Sequence, residues 1–182
     1  LGGLVTADLT MTNGGVTDYV PTTRVRGAFL DIALNTSGSP DKDGWAKGGI
    51  VSTIPALAAT QTIPNGGRLA DITDGTSNTI MIGELSGRNQ LYRKGKLVAI
   101  TGSTIADEAY NASLAGGGAW ADPFGGSMEL TGRLVDGTGA AGPCAINCSN
   151  ARVYQSAFQN GAGLYSWHTG GVHGLLGDGS VR

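Results

Sequence analysis

Glycine occupies 32 of the 182 positions of this chain, and it recurs at no three-residue period. The missing period excludes a collagen-type helix. What remains is a chain that turns often, because glycine enters the positive-φ conformations that tight turns demand. Short apolar runs fill the intervals between turn signals. They are Gly27-Ala-Phe-Leu-Asp-Ile-Ala-Leu34, Ile50-Val-Ser-Thr-Ile54, Thr79-Ile-Met-Ile-Gly83, Lys96-Leu-Val-Ala-Ile-Thr101, Leu164-Tyr-Ser-Trp-His168 and Gly174-Leu-Leu-Gly177, with Ser180-Val-Arg182 returning at the end. Asp-Gly, a strong hairpin signal, stands at 43–44, 74–75, 136–137 and 178–179. The spacing is irregular, so there is no internal repeat. This pattern predicts a mainly β protein: an antiparallel sheet of short strands, with one or two short helices. Residues 105–114 are the best helix candidate, stopped by the glycines that follow, and residues 74–78 are expected to form a helical turn capped by Thr76 or Ser77. No boundary divides the chain, so residues 1–182 are read as one domain, with residues 125–143 as its longest surface loop.

Charge narrows the function classes. Charged residues make up 14% of the chain, against about 25% in ordinary globular proteins. The surface must therefore be covered by Ser, Thr, Asn and backbone, which suits an extracellular protein and lateral assembly. The net charge is −2, and no basic cluster exceeds Arg93-Lys94-Gly95-Lys96. A nucleic-acid partner needs a dense positive footprint and is excluded. No stretch approaches the ~20 apolar residues of a membrane span. The chain begins with Leu and shows no signal peptide, so an N-terminal segment is expected to precede it.

The final residues carry a spacing of their own. His168 is followed by nine residues and then Asp178-Gly179. Upstream stand Gly117-Gly-Ala-Trp-Ala-Asp122, Gly142-Pro-Cys-Ala-Ile-Asn-Cys-Ser-Asn150 and Ile72-Thr-Asp-Gly-Thr-Ser-Asn-Thr-Ile-Met-Ile-Gly-Glu84. Together these segments resemble the H-X9-DG prepilin-like secreted proteins of bacteria, relatives of type II secretion pseudopilins, over roughly residues 68–182. The resemblance marks His168, Asp178, Gly179, Asp74, Gly75 and Glu84 as motif residues. It implies an extracellular or cell-surface location and an assembly role. It further implies a basic leader and a long apolar helix ahead of the β domain. Any membrane contact would run through that helix alone.

Each constellation has a bland reading beside the sharp one. His168 and Asp178 could be the base and orienter of a catalytic triad, with Ser166 or Ser180 as nucleophile. If residues 172–177 run back as a strand, however, about 3.3 Å per residue separates them by roughly 20 Å. The Gly-x-Ser-x-Gly elbow is also missing. The reading is therefore non-enzymatic, with His168 at a strand end and Asp178-Gly179 in a tight turn. Cys144 and Cys148 are read first as a disulfide closing a small loop, with free thiols and a metal pair as the alternatives. Asp41 and Asp43 begin like a calcium loop, although no Glu completes it; no other cofactor is expected. Glu84 is expected to pair with Arg68 or Arg182. Trp45, Trp120 and Trp167, with Tyr165, could line a sugar-binding face, but Trp120 and Trp167 are expected in the core.

The functional expectation is a structural subunit of a pilin- or pseudopilin-like surface filament or secretion apparatus. Its partners would be copies of itself or other pilin-like subunits. The alternative is an extracellular module that binds a glycan or small solute.

Overall fold

The computed structural model describes residues 17–25, 27–40, 42–43, 69–87, 90–103, 107, 109, 128–139, 142–151, 153–154 and 160–182. The run at 50–54, the segment at 117–122, Trp45, Trp120, Asp41, Arg68 and most of the candidate helix at 105–114 lie outside these residues.

Nine strands are found among the described residues: β1 (Tyr19–Val25), β2 (Lys42–Asp43), β3 (Ile80–Glu84), β4 (Tyr92–Arg93), β5 (Lys96–Leu97), β6 (Met128–Leu130), β7 (Val153–Tyr154), β8 (Asn160–Ala162) and β9 (Gly174–Leu176). One α-helix, α1 (Gly27–Leu34), joins them. The fold is thus mainly β, as the turn-punctuated sequence predicts. Seven strands form one sheet in the order β7-β8-β6-β1-β3-β9, with β2 also on β1, and β4 and β5 form a separate hairpin. Antiparallel pairing sets Tyr19 opposite Glu84 between β1 and β3, and Gly83 opposite Gly174 between β3 and β9. Two pairings, β1 with β6 and β6 with β8, are parallel. Parallel neighbours require long crossover connections, which local hairpin signals cannot reveal.

Three local readings are corrected. Gly27–Leu34 is a helix rather than a strand. An apolar run of this length has no period that separates the two, and the deciding features lie at its end. Asn35 adopts φ 52 and the Thr36 amide reaches back to the Asp31 carbonyl at 2.9 Å, a left-handed helix stop that Asn tolerates. The Asp31 carboxylate then accepts from the Gly38 and Ser39 amides, each at 3.0 Å. The apolar run at 96–101, which the sequence reads as a strand, shrinks to β5, with Leu97 59% exposed. It is one arm of a hairpin whose turn residues, Lys94 at φ 49 and Gly95 at φ 77, have the double positive φ of a type I′ turn. Within 125–143, β6 enters the main sheet and Arg133 bridges to Cys144, so this stretch is no free loop.

The core cluster beneath the site is Val20, Leu85, Leu164 and Tyr165, with Tyr92, Leu130 and Val172 packed against it. Burying an aliphatic side chain contributes about 1.5–3 kcal/mol. These residues fix the end of β3 and the start of the chain's last passage against each other. A second cluster joins Leu91, Ala109 and Ala151, with Val98 beside them.

Candidate functional site

Glu84 ends β3, and the chain's last passage grips it from two sides. The Tyr165 amide donates to the Glu84 carbonyl at 3.0 Å, and the Glu84 amide donates to the His173 carbonyl at 3.1 Å. Leu85 bridges Tyr165 in parallel, and the Ser86 amide donates to the Tyr165 carbonyl at 2.8 Å. With Tyr165 and His173 both pinned to one residue, residues 166–173 must arch over Glu84. That arch brings His168 and His173 together.

The arch is braced from within. The Ser166 hydroxyl donates to the Gly171 carbonyl at 2.6 Å and accepts from the His168 amide at 3.0 Å. Asn147 braces it from below: its side-chain amide donates to the carbonyls of Gly171 at 3.1 Å and His168 at 3.4 Å, while its Oδ1 accepts from the Ser166 amide at 2.8 Å. Asn147 itself sits at φ 57 inside the loop closed by the Cys144–Cys148 disulfide, whose Cα atoms are 6.1 Å apart. The predicted disulfide is therefore present, and it underlies the arch.

The Glu84 side chain is 5% exposed, and its carboxylate is oriented by two donors. The Ser86 hydroxyl reaches Oε1 at 3.2 Å, and the His173 amide reaches Oε2 at 2.9 Å. The imidazoles approach the same oxygens: His168 Nε2 lies 3.5 Å from Oε1, and His173 Nδ1 lies 3.4 Å from Oε2. The two rings meet edge to face with centroids 4.4 Å apart. Both imidazole side chains are about half exposed, at 55% and 47%. The cluster thus has a dry carboxylate floor and a wet imidazole rim.

Trp167 precedes His168 in the arch. This residue was expected in the core, yet it is 54% exposed. It packs edge to face on Tyr92 and Tyr165, at 4.5 and 5.6 Å between centroids. Tyr165 is buried beneath, and burial raises its phenol pKa above the ordinary value, while its hydroxyl oxygen accepts from the Gly95 amide at 3.1 Å. Gly87, at φ 75, lets the chain pass close to Trp167 and Tyr92, where a Cβ would crowd both rings.

The remaining motif residues form a second junction. Gly179 adopts φ 85, as the Asp-Gly turn requires. Asp178 Oδ1 accepts from the Ser180 amide at 2.9 Å and the Ser180 hydroxyl at 2.7 Å. The Ser180 hydroxyl, then its amide, hold the carboxyl below the ordinary carboxylate range. This turn rests on the other hallmark segment: the Asp178 amide donates to the Thr76 carbonyl at 3.2 Å, and the Gly177 amide to the Thr79 carbonyl at 2.9 Å. Asp74 and Gly75 lead into a 3₁₀ turn, Thr76–Asn78, with Gly75 at φ 92 and no side-chain cap. The expected turn is there; the expected Thr76 or Ser77 cap is not.

His168 and Asp178 therefore serve different junctions, and each serine hydroxyl near them is engaged in its own turn. Glu84 meets the two histidines, where an arginine had been expected; Arg182 instead pairs its backbone with Gly174. Of the expected calcium pair, Asp41 lies outside the described residues, and Asp43 is placed by its backbone alone, opposite Arg24. His173 is not among the motif residues marked in the sequence. The available signal was its place five residues after His168 in a glycine-rich stretch able to turn back.

A mixed, mainly β domain with a disulfide-braced Glu-His-His cluster is the class that fold and site define. Residues 6–182 match the family described as "Protein of unknown function (DUF1559)", and the chain belongs to it. Comparison with curated proteins and with solved structures found no match.

Proposed function

We propose that this chain is the β domain of a pilin- or pseudopilin-like subunit of a bacterial cell-surface assembly, without enzymatic activity. One observation carries the reading: the hallmark segments serve as joints. Residues 72–84 and 164–182 are knit together through the pairing of β3 with β9, the Glu84 junction and the contact between the Asp178 turn and the Thr76 turn. A domain that spends its signature residues on rigidity suits load-bearing contact with neighbours. A surface poor in charge supports the same reading, since it loses little hydration on packing against copies of itself. Such contacts would bury more than the ~1,000 Å² of a stable interface. The whole open reading frame, expressed with a prepilin-processing peptidase and imaged by electron microscopy, is expected to give filaments or ordered envelope complexes. Dispersed monomers at all concentrations would refute the proposal.

A second reading is favoured by Trp167, whose exposed ring on an aromatic footing offers a stacking face for a sugar. Titration with oligosaccharides, comparing the native chain with Trp167→Ala, separates the two. Saturable binding lost in the variant would favour the extracellular binding module.

A further inference from the structure

We propose that Glu84, His168 and His173 form a binding site for a divalent cation of the zinc class. Three ligand atoms of the right kinds converge: one carboxylate oxygen and two imidazole nitrogens, all within 4.8 Å of one another. The separations are longer than those of a hydrogen-bonded ion pair. Charge-assisted N–H···O bonds close to about 2.7–2.9 Å. The two His–Glu distances are 3.5 and 3.4 Å, too long for that. Ligand atoms that share a tetrahedral zinc at bond lengths of about 2.0–2.1 Å stand about 3.3 Å apart. Each His–Glu gap is near that spacing, but the two run to different carboxylate oxygens, so an ion would have to draw the three ligand atoms in from their present spread of up to 4.8 Å.

The surroundings fit as well. Metal-binding carboxylates are commonly held by outer hydrogen bonds, and Glu84 has two, from Ser86 Oγ and the His173 amide. The His168 arm is set by the brace through Ser166 and Asn147. Imidazole and carboxylate together favour zinc and its first-row neighbours over calcium, which takes oxygen ligands. Three protein ligands leave a coordination position free, and the half-exposed rings leave it open to solvent. An ion there would clamp β3 to the arch and offer its open position to water or to a donor atom from a guest or neighbouring subunit. The inference stands apart from the assembly reading, since a subunit or a binding module could carry it equally.

The test uses the untagged 182-residue chain, freed of metal by a chelator and titrated calorimetrically with zinc chloride. About one ion per chain is expected. Substitution of an outer-shell partner typically costs 10–100-fold in affinity, so Ser86→Ala should weaken binding about 10-fold, and His168→Ala or His173→Ala roughly 100-fold or more. The histidine rings are half exposed, so these variants should fold, which circular dichroism checks. Glu84→Gln should also lose affinity; if it fails to fold, X-ray absorption of the zinc-loaded native chain must show mixed nitrogen and oxygen ligands near 2.0–2.1 Å. No uptake by the native chain overturns the site. Equal uptake by the His168→Ala/His173→Ala variant, or native affinity in a folded Glu84→Gln chain, overturns it too, because the ion would then bind elsewhere or without the carboxylate.

Discussion

Two buried ions, Arg133 and Glu84, are held in opposite ways. Arg133 is 0% exposed and Glu84 4%. The Arg133 guanidinium donates to the backbone carbonyls of Gly139, at 2.7 Å, and Ala151, while its own amide and carbonyl pair with Cys144 at 2.7 and 3.0 Å. These carbonyls are main chain, and the side chain is closed from water. Glu84 has one firm partner in the His173 amide, a longer contact to Ser86, and two imidazoles on an exposed rim. A closed ion stiffens what surrounds it. An ion walled on one side and open on the other can take a guest. The same burial therefore marks architecture at Arg133 and, under the proposal above, a site at Glu84.

The sharpest way to break this comparison is to remove the closed ion. Arg133→Met leaves carbonyls that accepted charged donors without partners in a dry interior, so stability should fall by about 2–5 kcal/mol. Urea unfolding measures it, and the m-value should hold if the native state stays compact. A loss under 1 kcal/mol would mean that water reaches those carbonyls, and Arg133 would not be the closed case.

Removing the open ion should cost less without metal and more with it. Glu84→Gln exchanges one charge-assisted acceptor for a neutral amide, a change of about 1–2 kcal/mol. The native chain should gain about 2.7 kcal/mol at zinc 100-fold above its dissociation constant, and the variant almost none. Thermal melts of both, with and without zinc, read the difference. Equal gains would erase the distinction between the two ions.

Much of this arrangement was legible and some was not, for physical reasons. Short β elements, the Asp-Gly turns with positive φ at Gly137 and Gly179, and the disulfide follow from local chemistry. The β6 pairings did not, because parallel partners lie far apart in sequence. Glu84 was visible as a motif residue, but its partners depend on an arch whose ends are pinned by Tyr165 and His173. Trp167 was read as core because its neighbours are small or apolar; the arch lifts it to the surface instead, with tyrosine rings as its footing.

The disulfide offers a smaller test that links the two ions. Cys144 pairs with Arg133 through backbone, and Asn147, inside the same loop, holds the His168 arch. A loop this short restricts the unfolded chain little, so reduction should cost about 2 kcal/mol. The specific expectation is that reduction also weakens zinc binding, because the arch loses its brace from below. Melts and titrations with and without a phosphine reductant measure both. Unchanged zinc affinity in a reduced but folded chain would detach the arch from the disulfide loop.

The smallest effect expected is a pH dependence that belongs to neither ion. Asp136 and Asp178 occupy matching turns: each Oδ1 takes the hydroxyl and amide of the residue two places on, Thr138 or Ser180. In both, that hydroxyl is the leading cause and the amide the next of a carboxyl pKa lowered from the ordinary 3.8. A carboxyl lowered by folding contributes stability that is complete above its unfolded value. That contribution fades as pH falls through the lower folded value, so the native chain should lose stability below about pH 4. Both carboxyls are fully exposed, so the effect should be slight and partly screened by salt. Asp136→Asn together with Asp178→Asn should lessen the fall in melting temperature between about pH 2 and 4, the remainder including Asp31, whose carboxyl is also lowered, while zinc binding measured at neutral pH stays native. If the double variant keeps the full acid slope, the loss comes entirely from other carboxyls such as Asp31, and the two turns are mere chain reversals.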